Sequence, residues 1–117
     1  MGNIVKPEWN LSEVLVTEDR YKCRRFTMAP GQGFNYQYHN HRRYFWVVVS
    51  GSIMFGNHEG KEQLVPEGEA MWSGQGGKYK MMNAGKIPAV LIEVQYGSYL
   101  GDDDLVRLDD ARLARSA

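Results

Sequence analysis

Cysteine is almost missing from this chain: Cys23 stands alone among 117 residues. One thiol closes no intrachain disulfide, and cysteine-rich zinc sites are excluded with it. Net charge is missing as well, since 14 Lys and Arg balance 14 Asp and Glu. A domain that grips nucleic acid normally carries a basic excess, and a polybasic membrane anchor needs one too, so neither partner is expected. No apolar run approaches the ~18 residues of a membrane span. Met1 to Asn10 holds no apolar core of a secretory signal, so the expected location is cytoplasmic.

What is present points to a β-rich domain. The length suits one domain over 1–117 with a single core, and 43% hydrophobic residues are too many for a disordered chain. Thirteen glycines recur at short intervals among three Trp, seven Tyr and four Phe. Short strands punctuated by turn residues read as an all-β sandwich or barrel. Strands are expected near 11–16, 20–28, 34–39, 44–50, 52–55, 61–65, 69–72, 78–83 and 89–96. Ala29-Pro30-Gly31, Asn57-His58-Glu59-Gly60, Pro66-Glu67-Gly68 and Asn83-Ala84-Gly85 supply turns. The run Tyr44 to Ser50 is apolar at both parities, which predicts a strand buried on both sides. After Gly101 the chain turns acidic, and Leu105, Leu108 and Leu113 fall at roughly helical spacing. A short C-terminal helix or an extended arm is expected in the tail 102–117, beyond a barrel core of about 20–100 and an N-terminal arm of 1–19.

Two spacings resemble the paired motifs of the cupin superfamily. Gly31, Gln37, His39, Tyr44 and Gly51 keep the intervals of the first motif, in which Gly, His, His, Glu and Gly stand. Gly68, Gly74, Gly76, Tyr79 and Asn83 keep those of the second, which runs Gly, Pro, Gly, His and Asn. More closely, the stretch from about 20 to 110 resembles the C-terminal cupin domain of type II mannose-6-phosphate isomerases. Gln37-x-His39-x-His41-Arg42, Trp46 to Gly51, Gly85-Lys86-Ile87-Pro88, Leu91 to Gln95 and Tyr99-Leu100-Gly101 carry that likeness. It implies an RmlC-like double-stranded β-helix, or jelly-roll barrel, with these motif residues pointing inward.

In cupins the four motif positions hold a divalent metal such as Zn, Mn or Fe, through imidazole and carboxylate donors. Here Gln37 and His39 remain, with His41 as a third candidate, but Tyr44 stands where Glu is expected and Tyr79 where His is expected. A neutral phenol, with a pKa near ~10, is a poor ligand. The expectation is therefore a weak or lost metal site and no cofactor. Parity places Asn35, Gln37 and His39 on one strand face, and Tyr44, Trp46 and Val48 on another. If those faces converge, the barrel holds an aromatic, amide-lined pocket for a small molecule. Trp46, Trp72, Met81 and Met82 also read as plain core.

Sugar-phosphate isomerisation needs a base near neutral pKa and a group to stabilise a developing oxyanion. His39 suits the first role, and Glu93 is an alternative base if it faces inward rather than into an exterior ion pair. Tyr44 and Tyr79 are candidate donors. Arg25 and Lys78, together with Asn35, Gln37 and Trp46, are candidates for holding substrate. Two functions follow. The first is a stand-alone isomerase of a sugar phosphate or a related polyhydroxy or carbonyl compound. The second is a diverged, metal-free cupin that binds a small molecule or catalyses metal-independent epimerisation, dehydration or cyclisation. A homodimer is expected, since a lone barrel leaves sheet edges to be covered.

Overall fold

The computed structural model describes residues 4–5, 10–101 and 105–107, all in strands, turns and loops. The strands are β1 (Ile4–Val5), β2 (Asn10–Thr17), β3 (Tyr21–Met28), β4 (Gly33–His39), β5 (Arg42–Ser50), β6 (Ser52–Gly56), β7 (Glu62–Pro66), β8 (Ala70–Ser73), β9 (Tyr79–Met82), β10 (Ala89–Gly97) and β11 (Leu105–Arg107). They form two antiparallel sheets, ordered β1-β2-β3-β10-β5-β8 and β11-β4-β9-β6-β7. From β3 onward the chain crosses between sheets at every connection except the β6–β7 hairpin. That alternation makes the expected double-stranded β-helix.

The sheets face each other across one core. Met28, Trp46, Val48, Ile53, Val65 and Leu91 are fully enclosed there. Alternation along β5 turns Tyr44, Trp46 and Val48 inward, as the pleat requires. Gly51 makes the switch from β5 to β6 with φ of 80°, and a Cβ there would lie 2.9 Å from the Pro88 carbonyl. Only glycine accepts that backbone and that approach. The motif residue Asn83 is wholly buried. Its amide donates to the Met28 and Ile87 carbonyls at 3.0 and 2.8 Å and accepts from Gly85 N–H at 2.9 Å. It therefore ties β3 to the β9–β10 turn.

Two expectations fail, and a third question is decided. The outer side of β5 is open: Phe45, Val47 and Val49 are 47%, 43% and 50% exposed, so the strand is buried on one face only. Trp72 and Met82, read as core, alternate outward and are 68% and 50% exposed, whereas Trp46 and Met81 are core. Of the two forms open for the tail, helix or extended arm, Leu105–Arg107 takes the extended one, a strand on β4 with Leu105 opposite His39 and Arg107 opposite Gln37. Backbone pairing on an otherwise open sheet edge outweighs the weak helical spacing. The rest of the expected helix, 102–104 and 108–117, lies outside the described residues. Part of the expected N-terminal arm also joins the barrel, since β2 pairs with β3 along Asn10–Thr17.

Candidate functional site

Strand register builds the polar interior row by row. Glu93 on β10 lies opposite Arg24 on β3 and Trp46 on β5, so three inward side chains share one line across the first sheet. Arg24 Nε donates to Glu93 Oε1 at 2.7 Å, and Trp46 Nε1 donates to Oε2 at 2.8 Å. Gln95 Nε2 adds a third bond to Oε1 at 2.6 Å. Arg42 Nη1 donates to Gln95 Oε1 at 2.7 Å, and its Nη2 reaches the Gly101 carbonyl. In the next row Gln95 lies opposite Tyr44, which lies opposite Ser73.

The second sheet brings its own polar groups to the same space. Gln37 lies opposite Tyr79, and its amide donates to the Tyr79 hydroxyl at 3.2 Å. The Tyr44 hydroxyl lies against the His39 imidazole, 2.8 Å from Nε2. The Tyr44 ring stacks on Trp46 with centroids 5.1 Å apart and planes within 4°. Tyr79 packs against both at 5.2 and 4.8 Å. Gln37, His39, Tyr44 and Tyr79 thus come together inside the barrel, with Trp46 and Glu93 beside them.

Other candidates lie elsewhere. Asn35 is exposed, because a register shift between Phe34 and Gln37 breaks the simple alternation. Phe34 takes the inward place instead, edge-on to Tyr79 at 5.7 Å. Arg25 lies on the outer face of the first sheet and pairs with Glu13. Lys78 is beside the outward Tyr36, its Nζ 5.9 Å from that ring. His41 is on the exposed β4–β5 turn, against Tyr99. Two interior residues absent from the candidate set, Arg24 and Gln95, were legible by parity. Arg24 shares alternation with Phe26 and Met28, and Gln95 with Leu91 and Glu93.

Electrostatics fix the protonation of this cluster. Burial alone would raise the Glu93 pKa, but the Arg24 guanidinium and the bonds from Arg24, Gln95 and Trp46 together hold it below the usual carboxylate range. Arg24 is raised in return: desolvation disfavours its charge, and Glu93 outweighs that. Burial pushes both Tyr44 and Tyr79 above the ordinary phenol value, and the Glu93 charge adds to it. Both phenols are therefore neutral at physiological pH.

This chemistry does not fit a divalent cation. One imidazole lies against a phenol, one neutral amide is bonded to another, and neither phenol is ready to become a phenolate. The Glu93 carboxylate is taken up by three donors. Catalytic zinc sites typically supply three protein ligands and an open position. Among the described residues no three His, Cys, Asp or Glu side chains gather as a ligand set.

An open cleft lies away from the phenols. It has a volume of about 370 Å³ and runs beside β8 and the β6–β7 hairpin, lined by Phe55, His58, Gln63, Met71, Trp72 and Lys78 among others. The Lys78 backbone N–H donates to His58 Nδ1 at 3.1 Å, which in the neutral ring leaves the proton on Nε2. No described helix is long and apolar enough to cross a membrane.

Comparison with known proteins agrees with this architecture. The family model for the mannose-6-phosphate isomerase C-terminal domain matches residues 2–110. A putative mannose-1-phosphate guanylyltransferase of Vibrio cholerae is 40% identical over 102 residues, covering 87% of this chain and 22% of that protein. The mannose-1-phosphate guanylyltransferase of Escherichia coli K12 is also 40% identical over 102 residues, covering 87% and 21%. The chain thus spans about a fifth of the length of these curated relatives. A double-stranded β-helix protein from Klebsiella pneumoniae superposes with a TM-score of 0.76 at 20% identity, over 88% of this chain and 84% of that one. An RmlC-like cupin from Shewanella frigidimarina gives 0.75 at 13% identity, over 87% of each. These two likenesses bear on the fold alone.

Proposed function

The chain belongs to the mannose-6-phosphate isomerase C-terminal family, and from that premise we propose that it is a small-molecule-binding cupin without metal-dependent isomerase activity. One observation carries this reading. The phenols of Tyr44 and Tyr79 fill the interior where the resemblance expects a carboxylate and an imidazole, and their hydroxyls engage His39 and Gln37. Moving a proton between adjacent carbons requires a base facing the substrate. Glu93 is 2% exposed and its oxygens are held by Arg24, Trp46 and Gln95, so it is a poor one.

Binding falls to the cleft. Trp72 offers an aromatic face, Phe55 and Met71 an apolar floor, and Gln63, His58 and Lys78 polar groups. That mixture suits a compact polar molecule with one apolar face. A second reading has its own support: His39, Tyr44, Tyr79 and Glu93 do converge, as a metal-independent acid–base catalyst would require.

The test combines turnover with binding. Sugar phosphates, mannose 6-phosphate first because the family is named for it, are supplied with and without Mn²⁺, Zn²⁺ or Co²⁺. The expected result is no metal-dependent isomerisation, with thermal stabilisation by a bound compound that Trp72→Ala abolishes and Tyr79→Phe leaves intact. Metal-dependent turnover lost in His39→Ala would overturn the proposal. Turnover without metal, lost in His39→Ala or Tyr44→Phe, would replace it with the second reading.

A further inference from the structure

The cleft lies where both sheets end. β8 closes the first sheet and β7 the second, and among the described residues neither has a strand beyond it. Between these edges stand the buried Phe55 and Met71, with Trp72 exposed beside them. Both walls are held in place within the chain. On the β6–β7 turn, Asn57 Oδ1 accepts from the Glu59 and Lys61 backbone N–H groups at 2.9 and 3.0 Å. Across from it, Ser73 Oγ donates to the Gly77 carbonyl at 3.1 Å, and Gly76 N–H donates to the His39 carbonyl at 2.9 Å. His58 ties the two walls together, since its Nδ1 accepts from the Lys78 N–H. A site fixed in this way has little left to order on binding.

The charges of the lining are few and uneven. Lys61 and Lys78 stand against a single acid, Glu59. Neither ammonium has a carboxylate within ion-pair distance among the described residues, and Lys78 Nζ lies only over the Tyr36 ring. Lys80, over the same ring, is already neutralised by Glu62. One positive charge is therefore left over in the cleft, and His58 Nε2–H adds a neutral donor.

We propose that the cleft takes a sugar acid, a pyranose bearing one carboxylate. Its C–H face lies on Trp72, its carboxylate meets Lys78 and His58, and its hydroxyls meet Glu59 and Gln63. The inference rests on the reading of this cleft as the binding site. The negative π-face of an indole suits the C–H face of a sugar ring. A neutral sugar leaves the Lys78 charge unanswered, whereas a carboxylate meets it in a charge-assisted hydrogen bond. A phosphate monoester brings nearly two negative charges, more than the lining balances, and sets them beside Glu59. An aromatic acid stacks on Trp72 as well but offers no hydroxyl to the Glu59 carboxylate or the Gln63 amide.

Calorimetric titration of the whole chain at neutral pH tests this. The probes are the methyl glycosides of glucuronate, galacturonate and mannuronate, beside methyl glucoside, methyl glucoside 6-phosphate and benzoate. At least one uronide should bind about tenfold more tightly than each of the other three, as one hydrogen bond to a charged group allows. Lys78→Met should bring that uronide down to the affinity of methyl glucoside, and Lys78→Arg should keep the preference. Glu59→Gln should narrow the gap between uronide and phosphate, because the excess positive charge then rises. Trp72→Ala should abolish binding of every probe with an unchanged circular dichroism spectrum. Tighter binding of methyl glucoside, the phosphate or benzoate, still lost in Trp72→Ala, overturns the sugar acid and leaves the cleft as the binding site. A uronide preference indifferent to Lys78→Met overturns it as well, and so does silence from all three uronides. Uronide binding that survives Trp72→Ala and is lost in His39→Ala overturns both the sugar acid and the cleft.

Discussion

Toward one end of the β5–β10 ribbon the inner face is polar and the outer face apolar, the reverse of an ordinary barrel wall, whereas Val48 and Leu91 keep the interior apolar at the other end. Inside stand Arg42, Tyr44, Trp46, Glu93 and Gln95; outside stand Phe45, Val47, Val49, Ile92 and Val94. The inner side is tolerable because its polar groups answer one another. Glu93 alone receives three donors, each within 2.8 Å. A buried carboxylate without such partners would be too costly to keep charged. The outer side needs no internal partner but offers area to a second surface. Fold stability at this end of the barrel thus rests on hydrogen bonding and charge, while the outward apolar rows add little within one chain.

The inner face should be the sensitive one. Removing the Arg24 charge by Arg24→Met strands Glu93 in the interior, and losing one partner of a buried ion pair costs about 3–5 kcal/mol. Urea unfolding should read that loss, and a change within error would show that the pair contributes nothing. Trp46→Phe keeps the ring against Tyr44 but withdraws the donor to Glu93 Oε2, an expected loss of about 1–3 kcal/mol. Rescue by Trp46→Phe combined with Glu93→Gln would sharpen the assignment, since the neutral amide needs less compensation.

Acid should act through the same carboxylate. The folded-state pKa of Glu93 is depressed from its ordinary 4.5, so its contribution is complete above that value. It is lost as pH falls below 4.5 towards the lower folded-state pKa. One proton sets a slope of at most about 1.4 kcal/mol per pH unit. Thermal unfolding across this range should decline more gently in Glu93→Gln than in the unmodified chain. Tyr44→Phe removes one hydroxyl contact to His39 and should cost about 1 kcal/mol. Smallest of all, Val47→Thr on the outer face should change the stability of dilute protein by no more than about 0.5 kcal/mol. A large effect there would mean that the outer rows matter within a single chain.

Much of this was readable from residue order, and the failures have physical causes. Turn spacing and the two motif intervals were enough to place Gln37, His39, Tyr44 and Tyr79 in one interior, because strand parity carries over wherever the ladder is regular. Asn35 was misplaced because the irregularity between Phe34 and Gln37 leaves no mark in the residue types. Choosing Arg25 over Arg24 was avoidable: counting back from Met28 puts Arg24 inward. Trp72 read as core because large aromatics usually are, and only the pairing with the outward Phe45 shows otherwise. For Leu105 the residue order left helix and extended arm open, and the edge of β4, visible only in three dimensions, decided for a strand.

The central claim is that the interior is occupied by mutually bonded polar side chains, phenols with His39 and Gln37 and a carboxylate with its own donors, instead of a metal centre. Nuclear magnetic resonance of the His39 ring nitrogens during titration with Zn²⁺ tests it most directly. With the Tyr44 hydroxyl against the imidazole and no carboxylate free to share the ion, the His39 signals should stay unmoved past several equivalents. A saturable shift of the His39 ring nitrogens, complete at one equivalent, would contradict the account.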